Sequence, residues 1–206
     1  WLLTSGYQLT MENARNLKNA GLTGVNISLD HYDAEIHNLF RGFKSSFHWV
    51  EHAVQNSIAS NLVTSLSICV TKTFVTEKNL FNYMELAKKW GVSFVQILEP
   101  KPVGHYYGKD VTLSPIHEKI LEEFYFKMNY DKRFVKYPII SYHGIYQRKI
   151  GCLAAGNRNV YIDTDGDMHA CPFCQSKMGS ALSDDMDDSI NRIKNKGCME
   201  FKNACI

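Results

Sequence analysis

Five of the six cysteines, Cys152, Cys171, Cys174, Cys198 and Cys205, fall after residue 150. Cys171-Pro172-Phe173-Cys174 places two thiols two residues apart, the spacing at which one loop presents two thiolates to a metal. Val160-Tyr161-Ile162-Asp163 and Met168-His169-Ala170 read as short strands around an Asp165-Gly166 turn. Such a hairpin brings Cys152, just before it, near Cys171, just after it. Three chemistries fit these thiols. Disulfides need an oxidising compartment, and no secretion signal is visible. Structural zinc and an iron–sulfur cluster both use thiolates in this number, and spacing alone does not separate them. His169, two residues before Cys171, is either a further ligand or an exposed hairpin histidine. Cys69, between Ile68 and Val70, reads as a small buried residue.

The elements ahead of these thiols alternate. Strand signals start near residues 1, 24, 62 and 92, and helices follow each of them. Thr10 and Thr76 stand where N-caps belong, and Ser114-Pro115 is a cap followed by a first-turn proline. Val50, Val54 and Ile58 recur at helical spacing after Phe47. Alternation of this kind predicts an α/β fold of parallel strands joined by right-handed crossovers. A barrel built so carries its chemistry where strands end. Thr4, Ser5, Ser28, Asp30, Thr71, Gln96 and Glu99 occupy those ends, although such residues also cap helices and close turns.

Composition narrows the class. The 206 residues are 45% hydrophobic, 21% charged and 12% aromatic, enough for a core and unlike a disordered or fibrous chain. Lysine and arginine number 23 against 21 aspartates and glutamates, so the formal charge of +2 predicts no nucleic-acid or anionic-lipid partner. No uncharged run approaches the ~20 residues of a membrane helix. A soluble, cytoplasmic protein is expected. Because Trp1-Leu2-Leu3-Thr4 reads as a strand entered at full stride, the chain is expected to be the C-terminal part of a longer one.

Together these segments resemble radical S-adenosylmethionine (SAM) enzymes with a SPASM-type C-terminal domain, as in peptide and sulfatase maturases. Ile27-Ser28-Leu29-Asp30-His31 followed by His37-Asn38-Leu39-Phe40-Arg41-Gly42 is similar to that family's fourth barrel strand and its loop. Thr4 to Thr10 is similar to the third strand and the start of its helix. Cys152, thirteen residues, Gly166, four residues, Cys171 is similar to the opening of the SPASM motif.

The resemblance implies a partial (β/α) barrel over residues 1–130, a connecting segment over 131–150, and a cysteine-rich auxiliary-cluster domain over 151–206. It implies an oxidoreductase or maturase that generates a 5′-deoxyadenosyl radical to modify a peptide or protein side chain. An electron donor such as flavodoxin or ferredoxin would serve it. Thr4, Ser28, Arg41 and Gln96 would hold SAM, Arg41 offering its planar fork to a carboxylate. Cys152, Cys171, Cys174, Cys198 and Cys205 would supply the ligands of an auxiliary [4Fe–4S] cluster. Which of Cys198 and Cys205 completes the set stays open.

The three cysteines spaced three and two residues apart that bind the SAM-cleaving cluster are absent from this chain, as is the family's glycine-rich segment. Both are expected ahead of Trp1, with the second [4Fe–4S] cluster. The competing expectation is a zinc-binding, non-catalytic peptide-recognition module. Tyr137 to Tyr146 either lines a substrate space or packs, and Glu99 is either a proton acceptor or a structural partner. The run Asp184-Asp185-Met186-Asp187-Asp188 is expected to open a helix through Ile190 and Ile193.

Overall fold

A computed structural model describes residues 1–150, 159–174 and 176–196. Two compact units are present, Trp1–Tyr142 and His143–Ile206. The first runs β1 (Leu2–Thr4), α1 (Met11–Asn19), β2 (Gly24–Ser28), α2 (Ala34–Arg41), α3 (Ser46–Ala59), β3 (Val63–Cys69), α4 (Glu77–Trp90), β4 (Phe94–Leu98), α5 (Pro115–Tyr130) and β5 (Ile139–Tyr142). All five strands are parallel and pair in sequence order, β1-β2-β3-β4-β5.

Local chemistry sets the helix ends. Thr10 and Thr76 accept the backbone N–H of Asn13 and Asn79 at 3.2 Å each, and Asp33 caps α2 through Glu35 and Ile36. Gly42 ends α2 at φ 68°, a left-handed conformation that side chains with a Cβ rarely adopt.

Alternation along each strand then sorts the two faces of the sheet. Val25, Ile27, Leu66, Ile68, Val95, Ile97 and Ile140 are all buried and share one face. Helix α3 packs on β2 and β3, and α5 on β5. The opposite face carries Asn26, Ser28, Ser65, Ser67, Gln96 and Ser141, with Leu3, Phe94, Leu98 and Ile139 among them.

The fifth strand corrects the expectation of four. Ile139–Tyr142 lies inside the stretch expected to be a connector, and its first backbone N–H donates to Ser93 at 3.0 Å. Asn129 of α5 fixes its middle, bonding both the N–H and the C=O of Ile140 at 2.9 Å.

The second unit contains α6 (Gly144–Ile150), β6 (Tyr161–Ile162), β7 (Asp167–His169), β8 (Gly179–Ser180) and α7 (Met186–Lys196). The hairpin expected around Asp165-Gly166 is present, with Tyr161 opposite His169 and Ile162 opposite Met168. Gly166 takes φ +81° at its turn. The two-residue β8 adds a third antiparallel strand. Met168, Ala170 and Ile193 form the core, with Cys174, Met178 and Ile190 packed against it. Helix α7 opens at the acidic run, where Asp185 accepts the N–H of Asp188 at 3.0 Å. Among the described residues no helix is long and apolar enough to cross a membrane.

Candidate functional site

The polar face of the sheet is a cross-strand row. Ser28 is in register with Ser67, Ser67 with Gln96, and Gln96 with Ser141. One rung below, Ser65 donates to Asn26 Oδ1 at 2.8 Å, and Asn26 Nδ2 donates to Gln96 Oε1 at 2.6 Å. A parallel sheet ordinarily buries apolar residues on both faces. Hydroxyl and amide groups in a row across one face are suited to a polar ligand. The structure thus brings Ser28 and Gln96 onto one face, two strands apart.

Thr4 is placed elsewhere. It is in register with Ile27, on the buried row, and its hydroxyl accepts the N–H of Gly6 at 3.1 Å. It lines an open groove of about 480 Å³ between β1 and α1, with Leu2, Leu9, Asn13 and Leu17. The carbonyl of Leu98 accepts from Val70 N–H at 2.9 Å.

Beyond the end of β2 a pinned loop holds Asp30. Leu29 N–H donates to Ser67, and the buried Tyr83 hydroxyl donates to the Leu29 carbonyl at 2.9 Å, with burial pushing the Tyr83 pKa well up. Asp30 N–H donates to Nδ1 of His37 at 3.1 Å. The Asp30 carboxylate accepts from Arg41 Nε at 2.5 Å. The last turn of α2 therefore delivers Arg41 to the C-terminal end of the sheet already ion-paired, its side chain about one-third exposed (32%).

His37 is 1% exposed, and its Nε2 has no hydrogen-bond partner among the described residues. Burial lowers its pKa, and the opposing charge of Asp30 is the smaller effect. Because Nδ1 accepts, the neutral ring carries its proton on Nε2. As pH falls below the ordinary histidine value of ~6.5, the unfolded chain takes up this proton before the folded one. Stability is then full above that pH and declines as pH drops towards the lowered folded value. The urea midpoint should fall between pH 7.5 and pH 5, and His37→Gln should flatten that slope. An unchanged slope in the variant would exclude His37 as its source. His31, also lowered by burial, adds to the slope in the same direction.

Cys69 extends the polar face and is half-buried, with its pKa raised by burial first and by Asp30 and Glu99 next. Glu99 accepts from the Tyr142 hydroxyl at 2.5 Å and lies 3.5 Å from Lys101, so it has structural partners. Tyr137 packs beneath Lys88 at 4.0 Å and donates to Glu85.

In the second unit Cys171 is buried and Cys174 half-buried, and Cys174 N–H donates to the Cys171 carbonyl at 3.1 Å. One tight turn therefore holds both thiols, a fit to two ligands of a shared metal centre. Cys152, Cys198 and Cys205 lie outside the described residues. Among the described residues no group of three metal-ligating side chains converges. His169, one reading of which was an exposed hairpin residue, is instead 7% exposed. Its Nε2 bonds Asp163 at 2.9 Å and its Nδ1 lies 3.1 Å from the Ser176 carbonyl, so both nitrogens are occupied within the hairpin.

Asn26, which donates to Gln96, and Ser65, which donates to Asn26, were not singled out in the sequence. Their signal was polar residues at every second position of β2 and β3, overshadowed by the apolar residues between them. Asp30 was read as a strand-end polar residue, but its pairing with His37 and Arg41 was not foreseen.

A parallel α/β sheet with one helix-covered face and one polar face, followed by a cysteine-bearing hairpin unit, has the plan of a radical SAM scaffold with an auxiliary domain. Comparison with known proteins bears this out. The mycofactocin maturase MftC of Mycobacterium tuberculosis is 28% identical over 193 residues, covering 88% of this chain and 48% of the relative. The solved structure of anSMEcpe with bound AdoMet and Cp18Cys peptide matches with a TM-score of 0.70 at 19% identity, over 99% of this chain and 60% of that one. Streptococcus suis SuiB bound to precursor peptide SuiA matches with a TM-score of 0.67 at 11% identity, over 91% of this chain and 46% of that one. No family model matches. The chain is similar in sequence to the maturase MftC and shares the fold of these solved structures. It spans about half the length of the curated relatives it matches.

Proposed function

We propose that this chain forms the SAM-facing and auxiliary-cluster portion of a radical SAM maturase acting on a peptide or protein side chain. The observation that carries the reading is the polar row Ser28–Ser67–Gln96–Ser141 on one face of a parallel sheet. MftC similarity over 88% of the chain supports it.

In this reading Ser28 and Gln96 contact SAM, and Arg41, steadied by Asp30, offers its remaining guanidinium N–H groups to the SAM carboxylate. The Asn26–Ser65 pair fixes the Gln96 amide, so less of its freedom is lost when ligand binds. Cys152, Cys171 and Cys174, with one of Cys198 and Cys205, hold an auxiliary iron–sulfur cluster, whose potential is set by burial, charge and hydrogen bonds to sulfur. The cofactors supply the electron-transfer and radical chemistry, and the protein supplies binding, alignment and exclusion of water. A flavodoxin or ferredoxin is the fitting electron donor.

Anaerobic reconstitution of the chain with iron and sulfide, followed by SAM titration, tests the reading. A brown protein with ~4 iron and ~4 acid-labile sulfide is expected. SAM binding should weaken about tenfold in Gln96→Ala and Arg41→Ala, a loss of ~1.4 kcal/mol each. Release of 5′-deoxyadenosine is not expected from this chain alone, which has no cysteine trio of the SAM-cleaving type. One zinc per chain, no sulfide and no SAM binding would instead establish the zinc-held recognition module.

A further inference from the structure

The structure points to a carboxylate-binding subsite at the C-terminal ends of β3 and β4, and we propose that it receives a carboxylate of the peptide substrate on Lys72. The inference rests on reading the polar face as the one that meets ligand, and it names a substrate feature that this reading leaves open.

Position comes first. Cys69 ends β3 and Leu98 ends β4, in register with each other on the polar face, and Thr71 and Pro100 each lie two residues further along the chain. Pairing persists at this end through the Val70-to-Leu98 bond of 2.9 Å. A cavity of about 270 Å³ opens there, lined by Thr71, Lys72, Thr73, Pro100, Tyr106 and Asp110. Pro100 is four residues beyond Gln96, or ~13 Å at the rise of a strand. A ligand reaching along the polar face from Gln96 would arrive at this cavity.

Size and chemistry select the occupant. Drug-sized and cofactor sites run ~300–1,000 Å³, so this cavity suits one short side chain or a chain terminus. Pro100 and the Tyr106 ring give apolar walls for methylene groups. The Thr71 and Thr73 hydroxyls stand 3.1 Å apart and are exposed. Lys72 supplies the charge, and its ammonium has three N–H donors in a geometry that turns freely. Asp110 takes one of them at 2.6 Å. Asp110 is 88% exposed while Lys72 is 33% exposed, so the carboxylate is the solvent-facing partner of the pair. Asp110 thus occupies the place a substrate carboxylate would take, and the two compete.

That competition gives a test with two signs. The 206-residue chain labelled with ¹⁵N is titrated with Ac-Gly-Glu-Gly-NH2, Ac-Gly-Gly-Gly-OH and neutral Ac-Gly-Gln-Gly-NH2, with no cofactor present. The acidic peptides should shift the amides of Thr71, Lys72, Thr73 and Tyr106, and the neutral one should not. Whichever acidic peptide binds more tightly identifies a side-chain or a terminal carboxylate. Lys72→Met should weaken binding at least tenfold, whereas Asp110→Asn should tighten it about threefold by removing the competitor. Equal shifts from the neutral peptide, weaker binding in Asp110→Asn, or no shift in these amides would overturn the proposal. The backbone spectrum of each variant reports its folding. Iron content and SAM affinity are measured separately, so loss of the maturase reading and loss of this subsite give different results.

Discussion

Cys171→Ser and Cys174→Ser should each strip the reconstituted protein of iron and sulfide, from ~4 of each to less than ~1 per chain. A serine hydroxyl is not ionised near neutral pH and does not replace a thiolate, and the two cysteines share one turn closed by the Cys174-to-Cys171 bond of 3.1 Å. The effect should extend to folding. Cys174 packs against Met168 and Ile193, the small core on which β7 and α7 meet. Metal-binding free energy becomes folding free energy where the site is assembled only in the native state. Limited proteolysis should therefore cut after His143 in both variants while leaving the first unit intact. Cys69→Ser is the control, since that thiol lies on β3 in the other unit and burial holds its pKa up. Iron retained in both tail variants, or lost in the control, would remove the tail turn from the cluster.

What the sequence revealed and what it hid divide by the range of the forces involved. Caps are local, and Thr10, Thr76 and Ser114-Pro115 mark helix starts correctly because each acts on an N–H within three residues. The hairpin at Asp165-Gly166 was legible for the same reason. Strand β5 was not, because four residues give too little periodicity and its place depends on Asn129 and on pairing with β4. The burial of His169 follows from the Asp163 carboxylate folding back across the hairpin, six residues away. Ser28 and Gln96 were read as strand-end polar groups and share one face of the sheet, but Thr4 looked equivalent to them. Only the register, which pairs it with Ile27, shows that it belongs to the buried face. Arg41 was read as a ligand-facing fork, while its pairing with Asp30 depends on how the loop after β2 is pinned by Tyr83 and Ser67.

Neighbouring residues on β3 give the sharpest test of the two-faced sheet. Leu66 is 0% exposed and in register with Ile27 and Val95, both buried. Leu66→Ala should cost ~2–5 kcal/mol, the lost transfer energy of its side chain plus that of the cavity left beneath the helices. Ser67, one residue on, points to the other face between Ser28 and Gln96. Ser67→Ala should change stability by less than ~0.5 kcal/mol, since the replaced group is small and not part of the apolar core. Ser67→Leu should also fold, yet it would fill the space beside Gln96 with an isobutyl group and weaken SAM binding at least tenfold. Urea midpoints and SAM titrations on the three variants decide the matter. If Leu66→Ala and Ser67→Ala destabilise equally, the second face is core and not ligand surface. A polar row would then have no ligand to explain it, because three serines and a glutamine are poor material for packing.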